Sequence, residues 1–192
     1  MKDMKCNIYV VHGYTASSKA EWFPWLKSKL KENNLNVTIF DMPNSNFPNV
    51  MEWDEYLSEN IAECNENTFF VGHSLGCISL LRYIEKQPIY KKIGGVVLIS
   101  GFIEQVPTLP MLNSFIKHDL NIEKLTKMIK NLCVISSPSD SIVPYKYSCD
   151  LAKQLKAKLI TVENSGHFIA QEGFSEFPLV YDILCKMIKS FN

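Results

Sequence analysis

The residues best suited to chemistry lie in three short stretches. In Gly72-His73-Ser74-Leu75-Gly76 a serine stands between two glycines, after an apolar run and before a helix-like one. This G-x-S-x-G spacing suits a nucleophile on a strained strand-to-helix turn, where side chains in place of the glycines would meet the neighbouring strand and helix. A serine hydroxyl is a weak nucleophile unless a base takes its proton, and the chain offers His12, His73, His118 and His167. His167, in Asn-Ser-Gly-His-Phe (164–168), follows the last strand-like run, at the end of the sheet where open α/β folds bind ligands. It is the candidate base. His73 sits inside the turn with its side chain expected to point away from Ser74, and His118 lies in a long connection. Asp140, in Ser-Ser-Pro-Ser-Asp-Ser-Ile-Val-Pro (136–144), follows the preceding strand-like run and is the candidate orienter of the imidazole. Asp119 is its rival; Asp150 and Asp182 fall inside helical patterns. Each assignment has a structural alternative: Ser74 as a helix cap, His167 as a buried or capping histidine, Asp140 as a turn former.

Acyl transfer also needs donors aimed at a developing oxyanion. The Leu75 N–H, first after the serine, is one candidate. The Tyr14 N–H, in the His12-Gly13-Tyr14 loop, is the other, and the helix after Ser74 adds a favourable dipole. The His12-Gly13 pair could equally be a tight turn. Tyr14, His73 and Phe168 are the expected substrate-contacting residues. Trp22, Phe23, Trp25 and Phe47 are further aromatic candidates, with core packing the better reading for Phe23 and Trp25. No H-E-x-x-H pattern, cysteine pairing with zinc spacing, G-x-G-x-x-G or P-loop occurs, so neither metal nor cofactor is expected.

Positioning these groups requires an alternating framework. Strand-like runs cover 7–12, 36–41, 68–72, 94–100, 131–137 and 157–163. Helix-like amphipathic runs cover 19–33, 50–64, 74–87, 145–156 and 177–191, with another helix expected at 121–130. The alternation predicts a single α/β domain over 1–192, with a six-stranded parallel sheet and helices on both faces. The strands are nearly continuous in apolar residues, as doubly covered strands are. The one long connection, 101–130, is expected to carry a short piece over the site.

Bulk properties narrow the function. The chain has 192 residues, 46% hydrophobic, and a formal net charge of zero; one of its 20 basic residues is arginine. That argues against nucleic acid as the main partner and against bidentate phosphate clamping. Six scattered cysteines read as free thiols in a reducing cytoplasm. The N-terminal apolar run is too short for a signal peptide, and no stretch approaches a membrane span.

The segments His-Gly-Tyr-Thr-Ala-Ser-Ser to Trp-Phe-Pro-Trp-Leu (12–26), 71–76, 137–144 and 165–168 together resemble a small, capless α/β-hydrolase branch. It comprises the retinoblastoma-binding-protein-like and YdeN-like serine hydrolases. The likeness spans about residues 7–190. It implies strand order 2-1-3-4-5-6, a Ser74–Asp140–His167 triad and no cap domain. Mammalian members carry an L-x-C-x-E motif for pocket-protein binding; here the stretch reads Ala62-Glu63-Cys64-Asn65-Glu66, so that partner is not supported. The expected activity is hydrolysis of small carboxylic esters, with thioesters or amides also open, by a monomer or small homo-oligomer. The alternative is a protein-binding module that retains the fold without the activity.

Overall fold

A computed structural model describes residues 6–190. Six strands form one sheet in the order β2-β1-β3-β4-β5-β6. They are β1 (Asn7–Val11), β2 (Asn36–Phe40), β3 (Thr68–His73), β4 (Gly95–Ile99), β5 (Leu132–Ser136) and β6 (Lys158–Thr161). Every neighbouring pair is parallel. The helices are α1 (Phe23–Lys31), α2 (Val50–Asn60), α3 (Leu75–Lys86), α4 (Ile122–Met128), α5 (Tyr145–Gln154) and α6 (Pro178–Lys189).

Strand side chains alternate between faces, and the alternation divides the core in two. Tyr9, Val11, Phe70, Val96 and Leu98 pack towards α2, α3, α4 and α5. Ile8, Val10, Phe69, Val71, Val97 and Ile99 pack towards α1 and α6. All six residues of β3 are buried, because this strand lies inside the sheet and is covered on both faces. The edge strand β6 is partly exposed and begins with Lys158, a charge that discourages pairing with another chain.

The six-stranded parallel sheet and its order are those expected. Element boundaries differ in two informative places. The first helix begins at Phe23 rather than residue 19, because Glu21 has φ 52°, outside the helical region; Pro24 then falls in the first turn, where its missing N–H costs nothing. The second helix stops at Asn60 rather than 64. Ile61 turns extended, and Ile61 and Cys64 are drawn into the core. Position 191 of the expected last helix lies outside the described residues.

The 101–130 connection contains an unanticipated 3-10 helix, Pro110–Ile116, before α4. Among the described residues it builds no separate cap domain. Phe115 packs edge-on against Trp53 of α2, with ring centroids 5.6 Å apart. No helix among the described residues is long and apolar enough to cross a membrane. Since all strands run the same way, the loops after β1, β3, β4, β5 and β6 gather at one edge of the sheet.

Candidate active site

Ser74 sits between β3 and α3 with φ 52° and ψ −118°, a left-handed conformation costly for any residue with a Cβ. Its N–H is held by the Ile99 carbonyl at 2.9 Å. The flanking glycines are needed for contact. A Cβ on Gly72 would lie 2.9 Å from the Cys77 backbone, and one on Gly76 would lie 2.2 Å from the Val11 carbonyl oxygen. The helix N-terminus can therefore press against β1, and the turn stays sharp.

The loop after β1 lies directly against this turn. A Cβ on Gly13 would be 3.0 Å from the Ser74 Cβ and 3.5 Å from its Oγ. His12 anchors the loop. The Met42 N–H donates to His12 Nε2 at 3.0 Å, so Nδ1 carries the proton and donates to the Gly13 carbonyl at 2.8 Å. Burial lowers the His12 pKa and favours this neutral form. Among the described residues neither the Tyr14 nor the Leu75 N–H has a hydrogen-bond acceptor.

Asp140 and His167 meet beyond the ends of β5 and β6. Asp140 Oδ2 accepts from His167 Nδ1 at 2.8 Å and from Ser100 Oγ at 2.7 Å. Its Oδ1 accepts the Ile142 and Val143 amides, both at 2.9 Å. Burial alone would raise the Asp140 pKa. The hydrogen bond and charge of His167, followed by Ser100 and Val143, outweigh it and hold the carboxyl below its ordinary value. With Nδ1 engaged, His167 keeps Nε2 for another partner. A cavity of 370 Å³ is lined by both Ser74 and His167, and also by Tyr14, Glu21, Leu109 and Ile142.

The 164–173 loop is fastened by its own Glu172 and by groups far away in sequence. Glu172 accepts the His167 N–H at 2.7 Å, and His73 Nε2 donates to the His167 carbonyl at 2.8 Å. Trp22 Nε1 donates to the Phe168 carbonyl at 3.1 Å. Ser137 and Ser139 accept the amides of Ser165 and Gly166 at 3.1 and 3.0 Å, and Glu21 accepts that of Ala170. Gly166 has φ +52°, and a Cβ there would fall 2.1 Å from the Glu172 carboxylate, so glycine is what admits Glu172 beneath the histidine.

These geometries accompany a match of residues 8–186 to the serine hydrolase family model. The chain belongs to the serine hydrolase family. It is 42% identical to YdeN of Bacillus subtilis (strain 168) over 181 residues, covering 94% of this chain and 95% of that one. The crystal structure of the B. subtilis ydeN gene product superimposes with a TM-score of 0.94 at 40% identity, covering 96% of this chain and all of that one. Serine hydrolase RBBP9 of Rattus norvegicus is 23% identical over 149 residues, 77% of each chain.

Within this serine hydrolase, some expected site residues stand elsewhere. Phe168, expected at the pocket wall, is fully buried. It has φ 58° and stacks on Phe177 with centroids 5.1 Å apart. The left-handed backbone turns its ring into the core, and Ile169 lines the cavity instead. Trp22 is also a core residue, as is Phe23, for which core packing is the better reading from sequence, whereas Phe47 is 88% exposed. His118 is exposed beside Glu85, and Asp119 is likewise exposed; neither lines the cavity. Cys77 is buried below Ser74 and donates to the Gly72 carbonyl at 3.2 Å. Sequence reasoning missed Ser100, Glu172, Ser137 and Ser139, whose only signal was a polar residue placed near a strand end or turn.

His73 borders the cavity, but its ring is packed between Trp22, Phe23 and the His167 ring. Burial, with the neighbouring His167, pushes its pKa down to about 3. Its ordinary value is 6.5, so folding excludes a proton that the unfolded chain takes up. The stabilisation is complete above pH 6.5 and is lost as pH falls from there towards 3, at up to about 1.4 kcal/mol per pH unit. Urea unfolding from pH 8 to 4 should show this acid limb in wild type and a shallower one in His73→Gln. Equal slopes would assign the acid sensitivity to other groups.

Proposed function

We propose that the protein hydrolyses small carboxylic esters through an acyl-enzyme on Ser74. The observation that carries this reading is Ser74, held left-handed on its turn, sharing a cavity with a histidine that is hydrogen-bonded to a buried aspartate. His167 Nε2 takes the Ser74 proton as Oγ attacks the ester carbonyl, and Asp140 stabilises the resulting imidazolium. The Tyr14 and Leu75 N–H groups receive the developing oxyanion; one such donor typically supplies about 10²–10³ in turnover. The ester C–O bond then breaks, and His167 passes its proton to the departing alcohol. A water molecule, deprotonated by the same imidazole, releases the acid and regenerates Ser74.

The cavity walls suggest the substrate class. Leu109, Ile142 and Ile169 supply apolar surface, Glu21 is the charged carboxylate, and neither lysine nor arginine is in the lining. Short, uncharged acyl groups suit this wall better than anionic ones. Thioesters and amides would pass through the same tetrahedral intermediate.

The direct test is intact-mass analysis after treatment with a fluorophosphonate. A single adduct is expected on wild type, none on Ser74→Ala, and much slower labelling of His167→Ala. A folded wild type that stayed unlabelled would favour the protein-binding alternative.

A further inference from the structure

Ser100 follows β4 directly and is fully buried. Its N–H extends the sheet by donating to the Ile135 carbonyl at 2.9 Å. Its φ is 48°, a region that glycine occupies without penalty and a residue with a Cβ does not. The serine is thus held against its own backbone preference. Its hydroxyl donates at 2.7 Å to Asp140 Oδ2, the oxygen that also accepts His167 Nδ1 at 2.8 Å.

The carboxylate is divided between two kinds of donor. Oδ1 is occupied by the Ile142 and Val143 amides, which fix the plane of the group. Oδ2 is left to side chains, and Ser100 takes one of its lone-pair directions, leaving the other for the imidazole. A hydroxyl donor also draws charge from the oxygen. This makes Asp140 a weaker partner for the imidazolium and leaves His167 readier to return its proton to a leaving group.

We propose that Ser100 is a positioning residue of this site: acting through Asp140, it sets both the orientation and the proton affinity of His167. The proposal rests on the Ser74–Asp140–His167 reading above. The ionisable groups around His167 are Asp140 on its Nδ1, His73 against its ring, and Glu172 on its backbone N–H. Among these groups in the described residues, Ser100 is hydrogen-bonded to Asp140, so its removal should be felt through that carboxylate.

The test compares wild type, Ser100→Ala and Ser100→Gly in the pH dependence of kcat/KM for an uncharged p-nitrophenyl ester, beside thermal unfolding and the fluorophosphonate labelling rate. Both variants lose the hydroxyl, but only glycine relieves the backbone. Expected is an equal fall in kcat in the two variants, about tenfold, as for one hydrogen bond to a charged group. The acid limb should move up by about half a pH unit, because the freed Oδ2 holds the imidazolium more tightly. Ser100→Gly should melt above Ser100→Ala. An unmoved acid limb with normal labelling in both variants would make Ser100 a structural residue only and overturn this proposal alone. Failure of wild type to be labelled would overturn the triad reading, and this inference with it.

Discussion

Replacement of Ser74 by alanine is expected to lower kcat/KM for ester hydrolysis by about 10⁴-fold or more while the protein stays folded. Ser74 Oγ has no structural hydrogen bond to lose among those found for described side chains, and the Ser74 amide stays on the Ile99 carbonyl in the variant. Glycine at the same position sharpens the test. With φ 52° and ψ −118°, the backbone of Ser74 is one that glycine adopts freely and other residues adopt at a cost of about 1–3 kcal/mol. Ser74→Gly should therefore be as inactive as Ser74→Ala but more stable than wild type by about 1 kcal/mol, or roughly 2–4 °C in a domain of this size. Esterase assay and calorimetry on the three proteins read both effects. Inactive variants with no gain in stability for glycine would mean that the turn is not strained. Retained activity would remove Ser74 as the nucleophile.

The second large effect is expected at Gly76, where activity and stability should fall together. A Cβ there would lie 2.2 Å from the Val11 carbonyl oxygen and 2.8 Å from that of His12. Both atoms belong to the backbone of β1 and the loop leaving it, so no side-chain rotation makes room. Gly76→Ala must lift α3 away from the sheet at the point where nine of its twelve residues are buried. A loss of at least about 3 kcal/mol is expected, at the upper end of what overpacking costs. The same shift would separate Ser74 from the Gly13–Tyr14 loop. Urea unfolding and ester turnover on the soluble fraction check this; a variant with wild-type stability would show that α3 does not sit as close to β1 as described.

Both predictions concern a turn that could be read from five consecutive residues. Gly72, Ser74 and Gly76 are legible because a sharp turn from strand into helix sets their spacing, although the atoms that exclude a Cβ at Gly76 belong to Val11 and His12. The sheet was legible for a similar reason: apolar runs of strand length alternate with amphipathic runs of helix length, and that alternation leaves few arrangements besides a parallel sheet. The placement of Ser74, Asp140 and His167 after separate strands then followed, because parallel strands bring their C-terminal ends to one edge.

What lay beyond the sequence depends on contacts between distant residues. Trp22 holds the carbonyl of Phe168 across 146 positions, and His73 holds that of His167 across 94. No periodicity records such pairs. The direction of Phe168 turned on a single backbone angle of φ 58°, which sent an aromatic ring from the expected pocket wall into the core. The start of α1 likewise depended on Glu21, whose carboxylate reaches over to the Ala170 amide. Ser100 is one serine among many until β4 and β5 lie side by side and place its hydroxyl on Asp140. The sequence by itself determined the fold, the turn and the identities of the groups that could do chemistry, because each follows from residue type and local spacing. Tertiary structure alone decided which donors hold those groups, which rings line the cavity and which histidine is kept neutral, because burial and hydrogen-bond partners exist only once the strands have paired.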